Sequence, residues 1–400
     1  MATDYIYLFN KRLKLSYLLG ILIFLSLAVN LTMNLADGNL APFAAVDTGF
    51  YTHYANVFME QGFAGLIGSN LPVYYWGYPV ILGILISLCG NSYALVIILL
   101  QIILISITTL SIYNIGKNVF STKTGLLAAA LYVFTWEIFR WAHFVLTDGL
   151  YIVLFVNIVN LIILFRQTRS KLYLAILLVL SAIVALLRPT GLLLVLIVAA
   201  VVMWDMWKNR QYKWFLLGCG VILAGGIILI SWGGAAADNR LSLQWFPHYF
   251  AECMAKGQVI GGCPQYDYVF PGDLGSASLL AKIQFYFVLI VKRIMYFWAI
   301  YIGSHSFMHR LFNLCWLGPL FLSAFIGLVQ SIREKIRPSY LFWLVLLTFT
   351  IFHALTDIES DQRYRAPLLT LVTIYSGFGL SWLHSVLIAR IQKKPAKRSV

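Results

Sequence analysis

Acidic residues are scarce in this chain, with 15 among 400 residues, so the position of each one is informative. Asp47 begins the run Asp47-Thr-Gly-Phe-Tyr-Thr-His-Tyr, and helical spacing places Asp47, Tyr51 and Tyr54 on one face. That face presents a carboxylate together with two aromatic hydroxyls. The alternative is an ordinary helix cap, because Asp is a preferred residue at a helix N terminus.

A second carboxylate, Asp148, lies in the sequence Leu146-Thr-Asp-Gly-Leu and has apolar sequence on both sides. A carboxylate at the end of an apolar span is costly unless it faces water, a partner or a substrate. Asp148 is therefore a candidate functional residue. Here too a helix cap is the alternative, with Thr147 as the other capping candidate.

Two arginine-containing segments separate apolar stretches. Arg188 precedes Pro189, which suits the first position of a helix, and its side chain either snorkels to the membrane surface or binds a phosphate. The segment 357–367 holds three acids together with Arg363 and Arg365. Arginine binds phosphate oxygens in bidentate fashion, so this density of charge indicates more than a solvated turn.

The elements that must position these residues are membrane helices. Apolar residues make up 61% of the chain and charged residues 11%, against about 25% charged in a soluble domain. Runs such as Leu15–Leu35 have the length that a helix needs to cross a bilayer, and we interpret this run as the first span rather than a cleaved signal. The composition predicts an all-α polytopic membrane protein in the cell membrane.

The net charge of +14 follows the pattern of membrane loops, not of nucleic-acid binding. Cations occur in short clusters between apolar spans, which predicts that these clusters are cytoplasmic and that Asp47, Asp148 and Arg363 lie on the opposite, outer side. The clusters are Lys11, Arg12 and Lys14; Arg166, Arg169 and Lys171; Lys208, Arg210 and Lys213; Arg333, Lys335 and Arg337; and Lys393, Lys394, Lys397 and Arg398.

This charge rule conflicts with a simple count of apolar segments at two places. One member of the pair Tyr74–Gly90 and Tyr93–Ile115, and one of the pair Ile283–Ile302 and Leu311–Gln330, is expected to be short, re-entrant or interfacial. Ile283–Ile302 has cations within it and before it, which suits a helix lying in the headgroup plane.

We expect one domain over residues 1–400, with outer loops at 36–70, 233–310 and 356–365 that contain interfacial helices. The other predicted spans are Leu126–Phe144, Val145–Phe165, Leu172–Leu187, Thr190–Trp207, Trp214–Trp232, Tyr340–Leu355 and Ala366–Leu387.

In their order along the chain, these motifs resemble the GT-C superfamily of membrane glycosyltransferases, and within it the bacterial branch related to aminoarabinose transferases and protein O-mannosyltransferases. The resemblance implies a GT-C-like transmembrane helix bundle with its active site beneath the first outer loop. One departure is that Asn70-Leu-Pro72 has no nearby cation where many relatives have one. The residues that carry the resemblance are Asp47 with Tyr51 and Ala55, Pro72-Val-Tyr-Tyr-Trp76, Thr147-Asp148 with Leu150, Arg188-Pro189 and Arg363-Tyr364-Arg365-Ala-Pro367.

The resemblance implies an inverting transferase that takes a sugar from a polyprenyl phosphate and gives it to a lipid, glycan or protein at the outer face of a bacterial inner membrane. Asp47 would be the general base and Asp148 a second carboxylate that orients the acceptor or the base. Arg363, with Arg188, would neutralise the leaving phosphate. The other residues assigned to substrate binding are Tyr51, Tyr54, Tyr75, Tyr364 and Arg365.

Other interpretations stay open at this stage. A transporter or flippase of lipid-linked sugars explains the spans equally well, although no paired repeats are visible. A polysaccharide polymerase or ligase would share the donor and the compartment. Some GT-C enzymes use a divalent cation, but the sequence has no His/Cys cluster with ligand spacing.

Glu137 is expected to pair with Arg140. Cys253 and Cys263, in the large outer loop, are expected to form a disulfide.

Overall fold

The computed structural model is a bundle of α-helices preceded by a short antiparallel hairpin of β1 (Tyr5–Leu8) and β2 (Lys11–Lys14). Helices make up nearly all the remaining regular structure of the described residues, so the predicted all-α fold is confirmed apart from the hairpin. The described residues are 5–8, 11–38, 41–43, 45–69, 71–210, 254, 257–259, 263–301, 305–356 and 363–392. The predicted span Trp214–Trp232 lies outside them.

The helices are numbered here in chain order over these residues. The first nine are α1 (Leu15–Gly38), α2 (Val46–Gly68), α3 (Gly77–Cys89), α4 (Tyr93–Val119), α5 (Thr122–Phe134), α6 (Trp136–Phe139), α7 (Thr147–Thr168), α8 (Lys171–Ala185) and α9 (Pro189–Lys208). They are followed by α10 (Leu279–Phe297), α11 (Phe307–Arg333), α12 (Tyr340–Leu355) and α13 (Ala366–Gln392).

Within the described ranges, seven helical segments are long and apolar enough to cross a membrane. They contain α1, α3 with α4, α7, α9, α11, α12 and α13, and many of their large apolar side chains are exposed on the outside of the bundle. Exposed apolar surface on this scale is stable where lipid tails surround it. The chain is therefore a multi-pass membrane protein. The proposed single domain over residues 1–400 stays a prediction.

The predicted span Leu126–Phe144 is wrong in its second half. Helix α5 ends at Phe134, which gives it about 20 Å of length against the roughly 30 Å of a hydrocarbon core. The backbone is extended at Thr135, and the chain continues as the single-turn α6 and a 3-10 turn at Arg140–His143. Glu137 lies in this irregular stretch and is buried. The chain here positions a buried polar side chain and does not continue as a regular membrane-spanning helix.

The charge rule predicted one exceptional helix in each of two pairs of apolar segments, and in the first pair this helix is α3. Helix α3 has 13 residues, and its first residue, Gly77, donates its backbone N–H to the carbonyl of Leu186 at 2.8 Å. Helix α4 starts just after α3, with the Tyr93 hydroxyl 3.5 Å from that of Thr52 on α2. Both ends of α3 therefore lie beside elements of the same end of the bundle, as expected for a short or re-entrant helix.

Helix α10 is the second exception, and it is amphipathic. Its buried side contains Arg293, which donates hydrogen bonds to the carbonyls of Ala354 and Thr356 at the end of α12. Its other side exposes large apolar residues, and α10 is not among the seven spanning segments of the described chain. This agrees with a helix in the plane of the membrane surface. The exposed apolar residues are Leu279, Leu280, Ile283, Phe287, Val291 and Met295.

Three described cations, Lys123, Arg166 and Arg169, lie at the opposite end of the bundle from the candidate site residues. At one end, Lys123 Nζ is 2.6 Å from His384 Nδ1, and Arg166 and Arg169 both pair with Asp205 at 3.3 and 3.0 Å. At the other end are the N termini of α7, α9 and α13. Which end faces the cytoplasm is predicted by the charge rule, which assigns the Lys123 end to it.

Cysteine labelling tests this orientation at two exposed positions. In a variant whose native cysteines are replaced by serine, His53→Cys on α2 is expected to react with a membrane-impermeant maleimide in intact cells. Lys123→Cys is expected to react only after permeabilisation. Reaction of Lys123→Cys in intact cells, with no reaction of His53→Cys, would reverse the orientation.

Candidate active site

At the end of the bundle opposite Lys123, four helix N termini of the described chain come together. Helices α2 and α7 contribute Asp47 and Asp148 from their first turns, where the positive end of the helix dipole favours a carboxylate. Helix α9 contributes Arg188 directly before its first residue, and a 3-10 turn at Arg363–Arg365 precedes α13. Backbone N–H groups and both signs of charge are therefore concentrated in one region.

Hydrogen bonds to backbone carbonyls fix the start of α2 against the segment that precedes α7. Phe43 donates its N–H to the carbonyl of His143 at 2.9 Å, and Thr48 donates its hydroxyl to the carbonyl of Val145 at 3.3 Å. From α4, the buried Gln101 donates to the carbonyl of Phe144 at 2.9 Å. These bonds satisfy backbone carbonyls of the irregular segment before α7 and thereby set where Asp47 lies relative to Asp148.

Asp47 forms an ion pair with Arg363. Arg363 donates to a carboxylate oxygen of Asp47 at 2.5 Å, although the two residues are 316 positions apart in sequence. The Asp47 side chain is 40% exposed and that of Arg363 is 12% exposed. This pair is therefore open to solvent on its carboxylate side.

Asp148 forms a second ion pair, with Arg188, and this one is buried. The two side chains are 3% and 7% exposed, and their contact is also 2.5 Å long. Burial, the largest single effect, would lower the pKa of the Arg188 guanidinium, but Asp148, Tyr364 and Tyr51 together outweigh it and raise that pKa above its usual value. The guanidinium therefore stays charged in a site that excludes water.

Gly191 explains how Arg188 reaches this position. A β-carbon at Gly191 would lie 1.9 Å from the carbonyl oxygen of Val184 on α8, which no side chain can occupy. Its N–H also closes a turn onto the carbonyl of Arg188 at 2.8 Å. Helix α9 can begin directly against α8 only because glycine is there, and that places Arg188 beside α7.

Tyr364 joins the two ion pairs. The guanidinium carbon of Arg188 lies 5.0 Å from the centre of the Tyr364 ring, and that of Arg363 lies 5.2 Å from it. Cations over an aromatic face are attracted to it, more strongly where water is excluded. His353 of α12 also stacks against this ring, at 4.7 Å between centroids. One aromatic ring thus orients both arginines.

Three of the four tyrosines predicted to bind substrate, those other than Tyr364, lie close to this cluster but in different environments. Tyr51 is buried, and burial, as the largest of several effects, raises the pKa of its phenol to about 12, so it stays neutral. Tyr54 and Tyr75 both contact the ring of Phe50, with centroids 4.9 and 6.1 Å apart. All three surround the start of α2, and their binding roles stay predictions.

Arg365 is the predicted substrate-binding residue whose surroundings argue against that role. It is fully buried, and Nε and NH2 donate to the two carboxylate oxygens of Glu137 at 2.8 and 2.5 Å. NH1 donates to the carbonyls of Phe297 and Ala299 at 3.2 and 2.6 Å. A guanidinium surrounded in this way holds the protein together and has no face left for a substrate.

The predicted pairing of Glu137 with Arg140 is accordingly replaced by pairing with Arg365. Arg140 instead lies over the rings of Trp136 and Trp141, at 4.8 and 4.9 Å. The sequence analysis also missed Tyr78, whose ring meets that of Tyr51 at 5.1 Å and whose hydroxyl has no hydrogen-bond partner among the described residues. Its place two residues after the Tyr-Tyr-Trp segment was the only signal available.

A metal site and the disulfide were the remaining expectations. In the described residues no group of three or more His, Cys, Asp or Glu side chains could hold a metal ion, and Asp47 and Asp148 are each paired with an arginine. Cys263 is buried against Tyr296, whereas Cys253 lies outside the described residues. The Cys253–Cys263 disulfide therefore stays a prediction.

Neutralising Glu137 tests the structural role assigned to Arg365. Glu137→Gln leaves the buried Arg365 guanidinium without its anion, and breaking a buried pair in this way costs about 3–5 kcal/mol. We expect a clear fall in the thermal unfolding temperature of the purified protein. Glu334→Gln, the same change at an exposed side chain on the opposite end of the bundle, should leave that temperature almost unchanged. Equal unfolding temperatures for both variants would contradict the assignment.

Two solved structures are similar to the chain at low sequence identity. The Archaeoglobus fulgidus oligosaccharyltransferase in the apo form aligns with 12% identity and a TM-score of 0.49 over 96% of this chain and 52% of that one. The Archaeoglobus fulgidus oligosaccharyltransferase AglB, in complex with an inhibitory peptide and a dolichol-phosphate, aligns with 13% identity and a TM-score of 0.47 over the same shares. The chain thus spans about half the length of these proteins.

A family match bears directly on the resemblance seen in the sequence. Residues 72–232 match the family described as dolichyl-phosphate-mannose-protein mannosyltransferase. No curated protein matches the chain significantly. The matched segment contains Asp148 and Arg188, and the family is one of GT-C mannosyltransferases. The resemblance to GT-C membrane glycosyltransferases is therefore confirmed over residues 72–232.

Proposed function

We propose that the chain is an inverting glycosyltransferase that moves a sugar from a polyprenyl-phosphate donor to an acceptor hydroxyl at the outer face of the membrane. The observation that carries the proposal is the contact between Asp47 and Arg363, two residues 316 positions apart that the proposed chemistry requires together. The family match supports a lipid-linked donor, because its description names a dolichyl-phosphate sugar.

The reaction needs two features that this cluster contains. The attacking hydroxyl must lose its proton to a base, and the departing lipid phosphate must be met by positive charge. Asp47 is the base in this proposal, and Arg363 is the cation that receives the phosphate. Phosphate leaves as a stable anion, so no strong general acid is required, and a single displacement inverts the configuration at the sugar carbon.

The two carboxylates have different tasks in the proposal. Asp47 is 40% exposed and can be reached by an acceptor, whereas Asp148 is 3% exposed and is committed to Arg188. We therefore assign the base to Asp47 alone. Asp148 orients Arg188. In this proposal the Arg188 guanidinium, which lies against the Tyr364 ring, adds positive charge to the site and does not contact the acceptor hydroxyl.

The location of these charges favours a transferase over a transporter or flippase of lipid-linked sugars. A transporter is expected to hold its charges near the middle of the membrane, on broken helices. Here both ion pairs lie at helix N termini at one end of the bundle. A polysaccharide polymerase or ligase would use the same donor and the same end, so only the acceptor distinguishes it.

Substitution of Asp47 tests the proposal. In membranes supplied with a panel of labelled polyprenyl-phosphate sugars, Asp47→Asn is expected to lower the rate of sugar transfer by about a hundredfold to ten-thousandfold, as loss of a general base does. Glu60→Gln removes an exposed carboxylate from the same helix and should keep the wild-type rate.

The unfolding temperature of both variants should match that of the wild type, because Asp47 is partly exposed. Transfer by Asp47→Asn at a rate near that of the wild type would remove Asp47 from the mechanism. Absence of transfer by the wild type with every donor, while the protein moves a lipid-linked sugar across vesicles, would favour the transporter instead.

A further inference from the structure

The ion pair between Asp47 and Arg363 engages part of the carboxylate that is proposed as the base. The oxygen of Asp47 that faces Arg363 accepts a guanidinium N–H at 2.5 Å, so its lone pair there is occupied. A base must present a free lone pair to the hydroxyl that it deprotonates. In the state that the structure shows, one oxygen of the candidate base is thus bound to the candidate phosphate-binding residue, although the Asp47 side chain is 40% exposed.

The charges of the described residues indicate what can release this oxygen. Among them, the two carboxylates and two guanidiniums of these ion pairs balance each other. A phosphate that takes a full guanidinium from these pairs therefore displaces one of the carboxylates. Arginine binds phosphate oxygens as well as carboxylate oxygens, so a phosphate can replace Asp47 at Arg363.

The two ion pairs differ in how readily they exchange. Breaking the Asp148–Arg188 pair would leave a carboxylate that is 3% exposed without a counter-charge, which is strongly unfavourable. Asp47 is 40% exposed, so water solvates its carboxylate when Arg363 leaves. The outer pair is therefore the exchangeable one, and the inner pair stays closed.

The surroundings of Arg363 allow its side chain to move while its backbone stays in place. Two residues further on, Arg365 is anchored to Glu137 and to two backbone carbonyls. Between them, the ring of Tyr364 lies against Arg188 and His353. Arg363 thus extends from a fixed turn, and its side chain can turn from Asp47 to a phosphate while the backbone stays in place.

We propose that the donor phosphate takes Arg363 from Asp47, so that binding of the donor releases the engaged oxygen of the base and leaves the whole carboxylate to the acceptor. This inference rests on the proposed function. The exchange breaks one ion pair and forms another, and no covalent bond or proton changes place. Asp47 and the donor phosphate are therefore competitors for one guanidinium.

Equilibrium binding of a polyprenyl phosphate without a sugar tests the exchange. The purified full chain in lipid nanodiscs is compared as wild type, Asp47→Asn, Asp47→Ser, Arg363→Gln and the double variant Asp47→Asn/Arg363→Gln, with Glu60→Gln as the control. Because Asp47 competes with the phosphate for Arg363, both neutral Asp47 variants should bind the lipid about threefold to tenfold more tightly than the wild type. Arg363→Gln should bind it more weakly.

The double variant separates exchange from simple repulsion. If Asp47 acts through Arg363, then Asp47→Asn should change affinity little once Arg363 is glutamine. Equal tightening in both backgrounds means plain charge repulsion and overturns the exchange, as does unchanged affinity in the single Asp47 variants. A wild type that does not bind the polyprenyl phosphate at all refutes the proposed donor class as well. Tightening in Glu60→Gln would point to surface charge and would also overturn the inference.

Discussion

The pairing of carboxylates with arginines at helix N termini is the interaction on which the rest of this structure depends. In a membrane protein a buried charge is tolerated where a counter-charge or backbone carbonyls meet it. The Asp148–Arg188 pair meets this condition by bringing the starts of α7 and α9 together, and Gly191 makes that approach possible. The Glu137–Arg365 pair fixes the 3-10 turn before α13 and thereby the position of Arg363.

These pairs divide into two kinds by their exposure. Glu137–Arg365 and Asp148–Arg188 are buried and hold helices in place, whereas Asp47–Arg363 opens to solvent. A rigid inner frame that carries one exchangeable outer pair is a suitable basis for catalysis, because reacting groups must be held in position by residues that do not themselves move. The proposed base and the proposed phosphate ligand are the two members of the outer pair.

Sequence reasoning found the polar residues of the site but not how they pair. Scarcity of acids and position at span ends identified Asp47, Asp148, Arg188 and Arg363. The charge rule predicted one exceptional helix in each of two pairs of apolar segments, and the structure shows these to be α3 and α10. Spacing could not show that Glu137 selects Arg365, 228 positions away, over Arg140 three positions away. Hydropathy likewise extended α5 past Phe134, because Ile138, Phe139 and Trp141 are as apolar as a span although they lie in an irregular stretch with the buried Glu137.

A structure of the purified chain with a bound polyprenyl phosphate tests the central claim most directly, since it shows which residue holds the phosphate and what happens to Asp47. The account predicts the phosphate on Arg363, with the Asp47–Arg363 contact broken, Asp47 facing solvent and the Asp148–Arg188 pair intact. A phosphate bound elsewhere, with Asp47 still paired to Arg363, would contradict it.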